Sequence, residues 1–154
     1  MSERHPALDV VDGAFRSPAE VAALAEGFID RSLPKERWTH AAHFTAAAYI
    51  ARERADLDVD RDFPTFIRAY NRAWADPTAP FGYHETLTRF YLAAIKGFLS
   101  GVPKGEPIDS VCNRLLATPV TARGFPLRYY SPERLFSEEA RARFVEPDLA
   151  PLDF

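Results

Sequence analysis

The chain has 154 residues, 47% of them apolar and 27% charged, and a net charge of −3; that length suits one domain able to bury a core without disulfides or a structural metal. The acidic balance and the lack of a Lys/Arg cluster argue against a nucleic-acid surface. The single cysteine, Cys112, excludes an intramolecular disulfide and a zinc ribbon, and no apolar run approaches the roughly 20 residues that span a bilayer.

Residues 1–16 read as an irregular lead-in that contains His5, which carries no evident role. "MSERHPALDVVDG" lacks the apolar stretch of a signal peptide, so the expected location is the cytoplasm. A first helix opens at Ser17, with Pro18 in the first helical position, Glu20 completing a capping box, and Val21, Leu24, Ala25 and Phe28 at helical spacing. Pro34 breaks the pattern. Thr39 then caps a second predicted helix that runs to about Arg54, with His40, His43, Ala47, Ile50 and Ala51 as its inward stripe.

"ADLDVDRD" reads as a solvated connection, followed after Asp62 by a third helix with Phe63, Phe66, Ile67, Tyr70 and Trp74 on one face and Pro64 in its first turn. "ADPTAPFG" is a Pro/Gly loop. The fourth predicted helix runs from about Gly82 to about Leu99, with His84, Leu87, Thr88, Tyr91, Ile95 and Phe98 as its stripe. Gly101, Pro103, Gly105 and Pro107 punctuate a turn, and a fifth helix carries Ile108, Val111, Cys112, Leu115 and Leu116. Residues 120–154 contain a short helix capped by Ser131 or Ser137. Their Phe125, Leu127, Tyr129, Leu135 and Phe144 are too apolar for a disordered tail, so the segment is expected to wrap back over the bundle. No repeat and no alternating strand pattern appears. The expected fold is all-α: one domain over 1–154, a bundle of about five helices with a partly irregular C-terminal segment packed over it.

Three of the four histidines fall in "WTHAAH" and "GYHET", each read as the first turn of a helix. At i and i+3, His40 and His43 share one face; His84 joins them if the second and fourth helices are neighbours with their starts at the same end. Three histidines with an open position suit zinc and related divalent ions. The resulting expectation is a metal set of His40, His43 and His84 holding zinc, manganese or iron. His84 and Glu85 are then the catalytic candidates, with Glu85 moving a proton. Trp38, Thr39, Tyr83, Thr88 and Tyr91 are the candidate substrate contacts.

Plainer alternatives stand beside each assignment. Glu85 and Arg89 at i, i+4 make an ordinary surface pair, the Thr88 hydroxyl can bond back within its own helix, and Trp38 fits a hydrophobic staple as well as a pocket wall. Arg128, Tyr129 and Tyr130 suit a lid or a packed tail. Helix N-termini carry partial positive charge, which opposes a cation on the helix axis and favours an anion. Three readings therefore stay open: a divalent-metal-dependent enzyme acting on a small polar molecule, a non-catalytic helical module that binds a small molecule or anion, and a purely structural role in which the histidines pin the ends of the bundle by hydrogen bonds. None calls for a nucleic acid or a membrane, and all allow a monomer or a homodimer. No GxSxG, GxGxxG or GxxxxGK[ST] pattern is present.

In "WTHAAHF", "GYHETLTRFY" and "FVEPDL" the chain resembles a family of small bacterial helical proteins with WTHxxH and YHETxT segments, over residues 34–149. The resemblance supplies no activity; it implies that Trp38, Thr39, His40, His43, Tyr83, His84, Glu85 and Thr86 belong together. The layout is also similar, at the level of fold alone, to small metal-binding bundles with a three-histidine site such as the DinB-like proteins.

Overall fold

Ser17 accepts a hydrogen bond from the Glu20 amide and Pro18 takes the first helical position, so α1 (Pro18–Ile29) begins where its capping residues dictate. The structure, a computed structural model, describes residues 15–75 and 82–154. The lead-in before Phe15, His5 included, and residues 76–81 of the Pro/Gly loop lie outside the described residues. Phe15 itself is buried and exchanges two backbone hydrogen bonds with the Asn113 side chain.

Thr39 caps α2 (His40–Glu53) by accepting from the Ala42 amide. The predicted inward stripe on this helix is too narrow. Ala41, Ala42 and every residue from Phe44 to Ile50 are buried, whereas Ala51 is exposed. Small residues at 41, 42 and 46–48 let neighbouring helices approach from all sides, and α2 packs against α1 and three later helices. It is the axis of the bundle.

The third helix starts earlier than the sequence suggests. α3 spans Val59–Ala73, with Asp58 as its cap: Asp58 accepts from the Arg61 amide while Asp62 accepts from the Asp58 amide. The supposed solvated connection thus supplies a reciprocal capping pair. Pro64 lies inside the helix rather than in its first turn and has no N–H for the Asp60 carbonyl one turn back. Arg89 fills that vacancy, its Nη1 donating to the Asp60 oxygen at 2.6 Å.

His84 caps α4 (Glu85–Ser100), and α5 (Ile108–Leu116) buries all five of its predicted apolar residues. Among these is Cys112, whose thiol burial pushes up to about 12, so it behaves as a small hydrophobe. Two 3₁₀ turns follow, Pro119–Thr121 and Phe125–Arg128, and then two short helices, α6 (Pro132–Leu135) and α7 (Glu138–Ala142). Ser131 and Ser137 each cap one of them, so the single expected short helix is two.

This C-terminal segment builds a second core over α4. Phe90, Phe125, Tyr129, Tyr130, Leu135, Ala140 and Val145 are all buried together, and Phe154 meets Phe90 edge-on at 5.3 Å. Leu127, expected to pack, is exposed. Thr86 locks the wrap to the bundle by donating to the Arg143 carbonyl and accepting from the Val145 amide. Among the described residues there is no strand, and the helices pack on one another as an all-α bundle. No helix of these residues is long and apolar enough to cross a membrane.

Candidate functional site

One cavity of about 340 Å³ opens where the start of α2, the middle of α3 and the first half of α4 converge with the turn after α5. Trp38, Thr39, His40, His43, Tyr83, His84, Thr88 and Tyr91 all line it, whereas Glu85 does not. The two sequence motifs therefore meet in space. What each histidine can do there depends on which ring nitrogen is already engaged.

His43 has the most consequential position. Its Nδ1–H donates to the Thr39 carbonyl at 2.6 Å, which fixes the tautomer and leaves Nε2 with a lone pair and no partner among the described residues. One face of the imidazole lies on Trp38, with ring centroids 3.8 Å apart. Trp38 in turn stacks on Phe28 at 4.0 Å. Trp38 precedes the Thr39 cap and His43 occupies the fourth helical position, so the pair is a hydrophobic staple whose second member is an imidazole. The staple and the pocket wall are the same object. Burial disfavours the imidazolium and pulls the His43 pKa down to about 4, against a smaller opposing pull from its bond to Thr39; His40 and Arg123 add to the depression.

His40 turns the other way. Its Nε2–H donates to the Thr121 carbonyl at 2.8 Å, so it ties the start of α2 to the turn after α5, and burial again holds its pKa below the ordinary value. Its ring meets Phe44 edge-on at 5.0 Å.

His84 is not available as a ligand or as an acid–base group. Its Nδ1 accepts from the Leu87 amide, as the side-chain cap of α4, and its Nε2–H donates to the Leu135 carbonyl at 2.8 Å. Both nitrogens are occupied, and burial keeps the ring below its usual pKa. The expected metal set of His40, His43 and His84 is therefore not assembled. A ligating imidazole needs a free lone pair, which His84 has given to the backbone. Among the described residues no group of three or more His, Cys, Asp or Glu is placed to hold a metal ion.

Glu85 also departs from its expected catalytic place. Its Oε1 accepts from the Tyr83 hydroxyl at 2.6 Å, and its Oε2 pairs with Arg89 at 3.0 Å. Arg68 stands 3.7 Å away and lies over the Tyr83 ring. Burial by itself would raise the Glu85 pKa, but the Tyr83 hydroxyl and the two guanidinium groups together outweigh it and hold the carboxyl below the usual range. Glu85 is one corner of an ion-pair network that braces α4 against α3.

The candidate substrate contacts divide. The Thr88 hydroxyl bonds back to the His84 carbonyl at 2.8 Å and Tyr83 is spent on Glu85. Tyr91 lines the pocket, and its hydroxyl has no hydrogen-bond partner among the described residues; burial raises its pKa to about 12, so it stays a neutral phenol. Tyr129 and Tyr130, candidates for a lid, belong to the second core, and Arg128 lies over Phe125. The C-terminal residue at the pocket is Arg123, which sequence reasoning missed. It stands in a turn with no helical pattern, which the His40–Thr121 bond ties to the start of α2. Asn71 is a second missed residue, on the exposed side of α3 at the pocket's edge.

The sequence matches no family model, no curated protein and no solved structure.

Proposed function

We propose that this chain is a helical module that binds one small molecule in the cavity between α2, α3 and α4. The observation that carries this reading is His43: a half-buried, neutral imidazole with its Nδ1–H locked and its Nε2 lone pair in the pocket wall, without a partner among the described residues. An oriented acceptor in a largely apolar pocket wall, with no protein donor beside it, is open to a donor on a ligand. The remaining walls are mostly apolar, from Phe44, Phe63, Ile67, Leu92 and Ile95. A few oriented polar groups in an otherwise apolar cleft are the usual make-up of a ligand site, and about 340 Å³ lies at the small end of the range of about 300–1,000 Å³ that such sites occupy.

The pKa argues for binding over proton transfer. A general base works best with a pKa near the working pH, and His43 at about 4 accepts a hydrogen bond far better than it takes a proton at neutrality. The zinc, manganese or iron enzyme has less support, because only His40 and His43 keep a nitrogen free of backbone bonds and no third ligand stands with them.

The test is a fragment screen by two-dimensional NMR with the His43 ring and Trp38 indole signals assigned. Fragments that bind are expected to shift both signals, and His43→Phe, which keeps the ring volume and removes the acceptor, is expected to weaken them. Hits that consistently map elsewhere, with His43 and Trp38 unmoved, would defeat the proposal.

A further inference from the structure

The charge balance of the same pocket narrows the ligand, on the premise that the pocket is a ligand site. Arg123 is exposed at the rim, on the turn between the two 3₁₀ helices, and among the described residues it has neither an ion-pair nor a hydrogen-bond partner. Other arginines of the bundle are neutralised: Arg54 by Glu26 and Asp56, Arg89 by Glu85, and Arg114 by Glu106. No described Asp or Glu lines the pocket, and its histidines are neutral. Among the described residues, the pocket lining therefore carries one positive charge and no counter-charge.

That charge is held in place. Thr121, two residues before Arg123, accepts from His40 through its carbonyl, and its hydroxyl bonds the Leu116 and Thr118 carbonyls. The turn is thus fastened to both α2 and α5, and the guanidinium loses little further backbone freedom when it engages a ligand. The start of α2, capped by Thr39, faces the same cavity and adds a weak field of the same sign.

We infer that the pocket takes a compact monocarboxylic acid: the carboxylate pairs with Arg123 at the rim, the apolar body lies on the floor formed by Phe44, Ile67, Leu92 and Ile95, and a hydroxyl or N–H on that body donates to Nε2 of His43. A planar guanidinium suits a carboxylate, which it can grip with two parallel hydrogen bonds. A phosphate dianion fits worse, because one cation would leave the second charge uncompensated against apolar walls. His40 is here a positioning residue, acting on the ligand through the turn that carries Arg123.

The experiment is calorimetric and NMR titration of the full chain and of Arg123→Gln with 4-hydroxybenzoate, indole-3-acetate and hexanoate, each against its own primary amide. Arg123 is exposed, so the variant is expected to keep the fold, which its unfolding midpoint verifies. The expected result is that the preferred acid binds the wild type at least about tenfold tighter than its amide, and that Arg123→Gln removes about tenfold from the acid while leaving the amide unchanged. Acids and amides binding equally well, or an acid affinity indifferent to Arg123→Gln, would overturn the carboxylate assignment and leave the pocket standing. If neither series moves the His43 or Trp38 signals, the pocket reading falls, and this inference with it.

Discussion

The imidazole of His43 lies almost flat on the indole of Trp38, 25° from parallel at 3.8 Å. That contact joins a helix start, a pocket wall and a depressed pKa in one arrangement. The staple places the ring, the ring's burial keeps it neutral, and neutrality leaves a lone pair for a ligand.

Stability is expected to fall with acid because of this residue. The unfolded imidazole takes a proton near pH 6.5, whereas the folded one resists until about pH 4. Between those values the unfolded chain binds more protons, so the stabilisation is fully present above about pH 6.5 and is lost as pH falls through about 4. The gap corresponds to about 3 kcal/mol for His43 alone, and His40 and His84, also depressed, act with the same sign. Urea unfolding of wild type and His43→Phe at about pH 7 and about pH 4 isolates the effect, since shared carboxylate contributions cancel. Parallel losses in the two proteins would contradict the assignment.

Trp38→Ala removes the ring between Phe28 and His43. Loss of a large packed aromatic of this kind costs about 2–4 kcal/mol. It also lets water reach His43, so the His43 pKa measured by NMR is expected to rise from about 4 toward the ordinary value. A destabilised variant with an unchanged His43 pKa would show that the indole packs without shielding the imidazole.

His84→Ala tests whether this histidine is structural. It strips the Leu87 amide of its cap and the Leu135 carbonyl of its donor, at a combined cost of about 2–3 kcal/mol. Asparagine at 84 can restore the cap without reaching Leu135, so it is expected to recover about 1 kcal/mol. Hydrogen exchange through 129–145 is expected to speed up in both variants. A loss below about 0.5 kcal/mol, typical of a bland surface site, would argue that His84 is free for another role.

Arg89→Met keeps the side-chain stem but removes the donor that replaces the missing Pro64 amide, together with the partner of Glu85. The expected loss is about 1–2 kcal/mol, against under about 0.5 kcal/mol for Arg143→Met, whose exposed pair with Glu139 is ordinary. Equal effects in the same urea series would mean that the Asp60 carbonyl finds water as readily as it finds Arg89.

Much of the bundle was legible in the sequence, because the rules that start helices act within one turn. Ser17, Thr39, Ser131 and Ser137 each cap the helix they precede, and the apolar spacing of α5 names its buried face. "ADLDVDRD" was harder: its acidic residues look solvated, yet Asp58 and Asp62 cap each other's ends of one helical turn. α2 was misread because a run of alanines has no amphipathic signal, and its burial on all sides follows from the neighbours that surround it.

The sequence by itself determined that two histidine motifs sit at helix starts, each beside aromatic and polar residues. Only the tertiary structure decided what those groups can do. The carbonyls that claim His40 and His84 come from residues 81 and 51 positions away, and Arg123 reaches the cavity on a turn with no pattern of its own. The physical reason is one of range. Capping and periodicity are settled by neighbours within about four residues, as is the bond from His43 to Thr39, whereas the engaged nitrogens of His40 and His84 are settled by backbone groups that packing delivers from far along the chain.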